Sequence, residues 1–324
     1  MTITDVAKLA GVSPAAVSRY FNNGYISEEK RQQIEKVVKE TGFRPSSSAQ
    51  QLRSKKTRII GVVVPKLASD PIAKTVEGML DVIKDNDYHL MLGVTENDES
   101  REIDYIRAIE SGNMDGAILF GTIITSEHKK TLKSCKVPVV VIGQEVSGMP
   151  CVYYDDYGAI YDVTRYAAAE GRRRLAYIGV TESDKAVGRE RLRGFKAAMK
   201  KEKLYVDDSM VRIADFTIES GYEQMRELWN QSEDIDAVIC ATDEIAVGAL
   251  RFLREKKVSV PKKVLITGQG NSNLVRAAGH DIVTIEYMYK HGGELAVRML
   301  IDRMKGNEET PSGVKLGYEI ITKQ

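Results

Sequence analysis

The sequence predicts an α/β protein, with a small all-α helix-turn-helix head ahead of a core of two parallel-sheet lobes. Three observations predict it. Apolar residues in the head recur at three-and-four spacing, as in Val6, Leu9 and Ala10 and again in Ile34, Val37 and Val38, which is helical periodicity. From Ile59 onward, short β-branched runs alternate with amphipathic stretches at a period of roughly thirty residues, that of a βαβ unit. Charge divides the chain at the same place. Residues 1–58 hold eleven of the 47 Lys and Arg and five of the 46 Asp and Glu, so a cationic head precedes a mildly anionic body.

The head reads element by element. Thr4 is placed to cap a first helix that stops at Gly11. Ser13 caps a second, whose first position is Pro14, where a missing N–H costs nothing. Ser27 caps a third, with Glu28 and Glu29 in its positive first turn and Gly42 as its left-handed stop. After Arg44 and Pro45 comes SSSAQQLRSKKT, a segment suited to a linker that is helical in part or on docking.

The core strands are expected in IIGVVVP, HLMLGV, GAILFG and VPVVVIG, then in RLAYIGV, MVRIADF, AVICATD and KVLITGQG, two sets of four. The helices between them are expected to begin near Asp70, Asn97, Ser126, Asp156, Arg189, Glu219, Asp243 and Asn273. IVTIEY and GVKLGYEIIT are placed to cross back between the lobes, with the main crossing near Tyr153 to Gly158. The expected division is a head over 1–44, a hinge helix and linker over 45–58, and two lobes. The N-terminal lobe takes 59–157 with parts of 283–312, and the C-terminal lobe takes 158–282 with parts of 313–324.

Composition narrows the function classes. At 324 residues, 43% hydrophobic and 29% charged, disorder and collagen are excluded. Cys135, Cys151 and Cys240 are odd in number and far apart, so neither a disulfide framework nor a zinc site is expected, and a reducing compartment is. The start MTITDVAKLAGVS lacks the pattern of an export signal, and no run approaches the roughly 18 apolar residues of a membrane span. A cytoplasmic protein without membrane contact is expected. His89, His128, His280 and His291 show no metal or nucleophile spacing, and Gly268-x-Gly270 lacks a third glycine where Asn273 stands. No enzyme and no cofactor are therefore expected.

A capped helix opening Ser13-Pro14-Ala15-Ala16 has small residues in its first turn and so can approach a duplex major groove closely. Arg19 can then reach guanine O6 and N7. The competing reading is a plain three-helix bundle in which Val17, Tyr20 and Phe21 pack and Arg19 meets solvent. Ala49-Gln50-Gln51-Leu52 followed by Arg53, Lys55 and Lys56 sets one large apolar side chain among polar and cationic ones. Paired about a two-fold axis, two such segments could drive Leu52 between base steps of the minor groove. Alternatively Leu52 packs onto the body.

Taken in order, ITDVAKLAGVS, AVSRYFN, TGFRPSSSAQQL, TRIIGVVVP, YYDDYGA, RRRLAYIGV, RLRGF, DFTIESGY, ATDEIAVGAL and IVTIEY resemble the lactose-repressor family of bacterial transcription regulators over essentially the whole chain. The resemblance implies a helix-turn-helix head, a hinge helix and a periplasmic-binding-protein-like core. Leu52 matches the family's intercalating leucine. The implied DNA-contacting set is Thr4, Ser13, Pro14, Ala15, Ala16, Ser18, Arg19, Asn22, Ser46, Ala49, Gln50, Leu52 and Lys55. Pro14 and Ala15 offer only apolar contacts at the family's base-reading positions, and Ala16 replaces a usual hydroxyl residue.

Ligands of open parallel sheets sit at the carboxyl ends of the strands, and two facing lobes enclose a cleft there. The side chains at those ends that can meet a ligand are Lys66, Ser69, Asp70, Ile72, Thr95, Gln144, Arg191, Phe216, Thr242, Asp243, Gln269 and Asn271. Polar groups beside an aromatic face suit a polyol ring. In the family, Arg191 matches an effector-contacting arginine, Phe216 an aromatic lid and Thr242 the polar residue before the aspartate. Gly268-Gln269-Gly270-Asn271 departs from the family by losing a carboxylate. YDDYGAI, ESDKAVG and GNSNLVRAAGHDIVTI look more like the sucrose- and trehalose-type members, which implies a disaccharide or its 6-phosphate as effector. Lys66 is similar in position to a phosphate-binding residue of the trehalose type; a solvated lysine is the other reading. The expected partners are double-stranded operator DNA of pseudo-palindromic sequence, a sugar or sugar phosphate that releases it, and a second copy of the chain. A corepressor-activated member of the same family is the alternative.

Overall fold

The computed structural model describes residues 1–43, 56–112, 114–279, 281–307 and 311–322. They form two compact units, Met1–Thr57 and Arg58–Gln324.

The head contains helices α1 (Ile3–Ala10), α2 (Pro14–Phe21) and α3 (Glu28–Thr41). Thr2, not Thr4, caps α1. Thr2 Oγ1 accepts from the Asp5 amide at 3.3 Å while the Asp5 carboxylate accepts from the Thr2 amide at 2.8 Å, a reciprocal box that needs its acid three residues on. Thr4 lies inside the helix and is exposed. Ser13 caps α2 by accepting from the Ala16 amide, whereas Ser27 precedes α3 without a side-chain bond. Gly11 and Gly42, at φ 66° and 64°, end α1 and α3 in the left-handed region. Val6, Ala7, Ala16, Val17, Ile34 and Val37 fill the center between the helices.

The core consists of two six-stranded sheets. The first holds β1 (Ile59–Val64), β2 (His89–Val94), β3 (Gly116–Phe120), β4 (Val139–Gly143), β5 (Cys151–Tyr154) and β11 (Gly313–Leu316), in the order β2-β1-β3-β4-β5-β11. All its pairings are parallel. The second runs β7 (Val211–Ile213), β6 (Leu175–Gly179), β8 (Ala237–Cys240), β9 (Leu265–Thr267), β10 (Ile282–Tyr287) and β12 (Tyr318–Ile321), with β12 antiparallel on β10. Strands β3, β6 and β8 are buried along their whole length, as sheets covered by helices on both faces require.

Helices α4 (Asp70–Lys84), α5 (Glu99–Ser111) and α6 (Ser126–Ser134) belong to the first lobe. The second has α7 (Asp156–Ala169), a π-turn (Lys185–Glu190), α8 (Arg191–Lys201), α9 (Ile218–Gln231), α10 (Asp243–Glu255) and α11 (Asn273–Ala278). Helix α12 (Tyr289–Met304) leaves β10 to pack against α4 of the first lobe. Gly78 and Gly293 permit that approach, because a Cβ on either would run into the carbonyl of Lys290 or of Thr75.

The expected lobe division is corrected at the last crossings. Of 283–312, the helix 289–304 lies with the first lobe but 283–287 continue β10 in the second sheet; of 313–324, β12 lies in the second sheet but 313–316 form β11 in the first. Strand β5 lies outside the expected set and with β11 brings the first sheet from four strands to six, while β10 and β12 bring the second from four to six. The three passes between lobes, after Tyr154, Tyr287 and Leu316, carry a tyrosine cluster: Tyr154 lies 5.7 Å from Tyr287 and 5.0 Å from Tyr289, and Tyr287 lies 6.4 Å from Tyr318. Among the described residues no helix is long and apolar enough to cross a membrane, and no side-chain cluster could hold a metal ion.

Candidate nucleic-acid interface and interlobe cleft

On α2, the cap at Ser13 and Pro14 in the first turn expose Ser13, Pro14, Ala15, Arg19 and Asn22, with Ser18 half-buried between them. Their spacing puts Ala15, Ser18, Arg19 and Asn22 along one side of the helix. Asn22 Nδ2 donates to the Ser18 carbonyl at 2.8 Å. Ala16 is 4% exposed and packs into the head's core, so its side chain offers nothing to a duplex. That corrects its place in the expected contact set: the cap turns position 16 inward, with Val17. Ser46, Ala49, Gln50, Leu52 and Lys55 lie outside the described residues.

The expected effector residues meet in several groups along the cleft. Near the end of β1, Lys66 Nζ stands 5.4 Å over the ring of Phe216, which belongs to the other lobe. Close by, Asn273 Nδ2 donates to Asp70 at 3.1 Å, again across the cleft. Between them is a residue the sequence reading missed. Lys74, one turn after Asp70 on α4, donates to the carbonyls of Gly270 and Asn271 at 3.2 and 2.9 Å. Its ammonium also lies 3.3 Å from Asp70 and 3.8 Å from Glu286. The only sequence signal was the Asp70-Lys74 spacing, which reads equally as an ordinary surface pair on one helix.

Deeper in the second lobe, Arg191 is buried with all its geometry committed. Its Nε and Nη2 donate to one Asp156 oxygen at 2.7 and 2.6 Å, its Nη1 donates to the Ala241 carbonyl, and the guanidinium lies 5.3 Å over Tyr287. Burial pushes the Asp156 carboxyl up, and Arg191 pulls it back. Nearby, burial raises the Asp184 carboxyl to about 6. Thr242 caps α10 by accepting from the Ile245 amide at 3.3 Å. Asp243 accepts from the Thr284 hydroxyl at 2.7 Å and from the Ser272 amide at 2.6 Å, so its carboxylate braces the loops of its own lobe. Gln269 Oε1 accepts from the Tyr287 hydroxyl at 2.7 Å. The Asn271 side chain, at φ 43°, is bonded to Glu286.

Not all expected residues converge. Ile72 is buried in the main apolar core, and Thr95 is fully buried with its hydroxyl 3.5 Å from the Val64 carbonyl. Ser69 precedes α4 without a side-chain capping bond. Gln144 sits at the crossover side of the cleft, held by donation to the Thr122 carbonyl at 2.6 Å. There it lines a cavity of about 300 Å³ with Glu145, Tyr153, Asp156, Lys185 and Arg193. Lys185 closes that side by donating to the Glu145 carbonyl at 3.0 Å.

Residues 2–46 match the bacterial regulatory proteins of the lacI family, and residues 164–324 match a periplasmic binding protein-like domain. The chain is 30% identical over 298 residues to the sucrose operon repressor of Staphylococcus xylosus, covering 92% of each. It is similar to a structure titled as a transcriptional regulator CelR-cellobiose complex, with TM-score 0.76, 25% identity and coverage of 99% and 98%. The lac repressor dimer bound to operator shares the fold, with TM-score 0.89 at 20% identity over 100% and 99% of the two chains. With a capped recognition helix ahead of two crossed lobes and a relative aligned along nearly its full length, the chain belongs to the lacI family of bacterial regulatory proteins.

Proposed function

We propose that this regulator is a cytoplasmic homodimer that represses a carbohydrate-utilisation operon, and that a disaccharide or disaccharide 6-phosphate in the interlobe cleft releases it from a pseudo-palindromic operator. The observation that carries the reading is the lobe-spanning cleft itself, where Lys66 stands on Phe216 and Lys74 reaches Gly270 and Asn271. A ring bearing hydroxyls can replace such contacts while stacking on the aromatic face. Because it would touch both lobes, it binds their arrangements unequally, and that difference in affinity shifts the population. The sucrose operon repressor and the cellobiose complex support a disaccharide.

A second copy is supported by edge strand β2, where Met91 is 50% and Leu92 42% exposed. An apolar edge strand left open is an association surface. On the head, Arg19 reads the major groove from a helix start that is otherwise apolar, and lysines of the hinge segment hold phosphates.

The test selects duplexes from a randomised pool with the full-length protein, then titrates the winner by fluorescence anisotropy. Sucrose, cellobiose and trehalose, free and 6-phosphorylated, are added in turn. Release by at least one is expected, together with a steep fall in affinity with salt. Tighter binding with sugar would reverse the sign and make the ligand a corepressor. Indifference to all of them would overturn the reading.

A further inference from the structure

Taking the cleft as the effector site, two buried residues that never reach it bear on its geometry. His128 of α6 and Glu102 of α5 are 0% and 1% exposed, behind the segment that joins β3 to α6. The Thr125 amide donates to His128 Nδ1 at 3.3 Å, and the Thr125 hydroxyl lies 2.7 Å from the same nitrogen. A ring nitrogen that accepts a backbone N–H carries no proton, which assigns the imidazole proton to Nε2. That nitrogen faces Glu102 Oε2 at 3.2 Å, off the line of a good hydrogen bond. The other carboxylate oxygen is 3.5 Å from the Thr122 hydroxyl, which donates to it. Thr122 in turn accepts from Gln144 Nε2 through its carbonyl, and Gln144 lines the cavity.

The pair thus grips both ends of a four-residue segment, Thr122 through Glu102 and Thr125 through His128. Burying an imperfectly bonded polar pair costs stability, and two aliphatic side chains would fill the space more cheaply. What they could not do is hold the Thr122 hydroxyl and the Thr125 amide at once. We propose that His128 and Glu102 are positioning residues for the effector cleft, fixing the Thr122 carbonyl that sets the Gln144 side chain on the cleft wall.

The test follows the Gln144 side-chain amide in ¹⁵N-labelled full-length protein, its signal assigned by Gln144→Glu. In a Glu102→Leu, His128→Leu double variant the amide signal is expected to move toward the free-amide position while the thermal transition stays cooperative. Sucrose, if it binds the wild type, is expected to bind about tenfold more weakly, the equivalent of one hydrogen bond. Glu102→Gln keeps an acceptor for Nε2–H and a donor for the Thr122 oxygen, so it should retain the wild-type signal. An unmoved Gln144 signal in the folded double variant overturns the proposal. Should that variant fail to fold, Thr122→Val, at a half-buried site, decides on the same signal. Absence of sugar binding to the wild type would count against the cleft reading alone, because the amide signal needs no ligand.

Discussion

Replacing Lys74 by Met keeps the aliphatic stem against α4 and removes the ammonium that ties the lobes together. Of its four polar neighbours, Asp70 is on the same lobe, so the cross-cleft part consists of Gly270, Asn271 and the longer approach to Glu286. The side chain is 22% exposed. Two hydrogen bonds at such a site contribute about 1 kcal/mol each, for about 2 kcal/mol in all. The remaining ties are single contacts: one Asp70–Asn273 bond, Lys66 over the Phe216 ring, and Lys185 donating once to the Glu145 carbonyl, its ion pair with that residue's carboxylate adding little at 42% and 59% exposure. Separation of the lobes should therefore become about thirtyfold more frequent. Hydrogen exchange read by mass spectrometry reports this without any ligand. Amides in 66–73 and 268–273 are expected to exchange about thirtyfold faster in Lys74→Met, with those of β3 and β8 unchanged. Exchange within twofold of the wild type in both segments would refute the latch.

Other substitutions test other parts of the structure. Asp184 has its carboxyl raised from 3.8 to about 6 by burial, so the native state holds a proton that the unfolded chain gives up. Stability is then favoured at low pH and lost as pH rises from about 4 through 6, and Asp184→Asn, which can still cap the π-turn, should gain up to about 3 kcal/mol at pH 7.5 and almost nothing at pH 4 in urea titrations. Gly78→Ala should lower stability by about 1–3 kcal/mol through overpacking against the Lys290 carbonyl, read as a lower denaturant midpoint. Lys66→Ala should weaken a sugar 6-phosphate but not the free sugar in calorimetry; equal losses would assign Lys66 to stacking on Phe216 alone.

Much of this fold was legible because its signals are local. Ser126, Asp156, Asp243 and Asn273 open helices where the alternation of strand and helix placed them, and each follows a Thr, Asp or Ser whose side chain caps it, so the signal lies within one turn. The β-branched runs became strands for the same reason. CVYY runs straight into the polar segment Asp155-Asp156 that reads as the crossing, and its place as a strand depends on pairing with β4 and β11. Which lobe received IVTIEY and GVKL was likewise a matter of distant partners. In the cleft, the sequence marked strand ends but not directions. It could not show that Asp243 turns to Thr284 and Ser272, that Ala16 faces inward, or that Lys74 crosses to the opposite lobe.

The late return of β11 to the first sheet has a practical corollary. The first lobe is not built from one uninterrupted stretch, because a fragment ending near 155 would lack both its outermost strand and the helix that covers α4, and both of those lie inside the stretch that carries the second lobe. Chimeras built by splicing at the lobe boundary should therefore fail to fold. Grafts that transplant 58–324 intact should tolerate exchange, so ligand preference can be borrowed from another protein only as an inseparable whole.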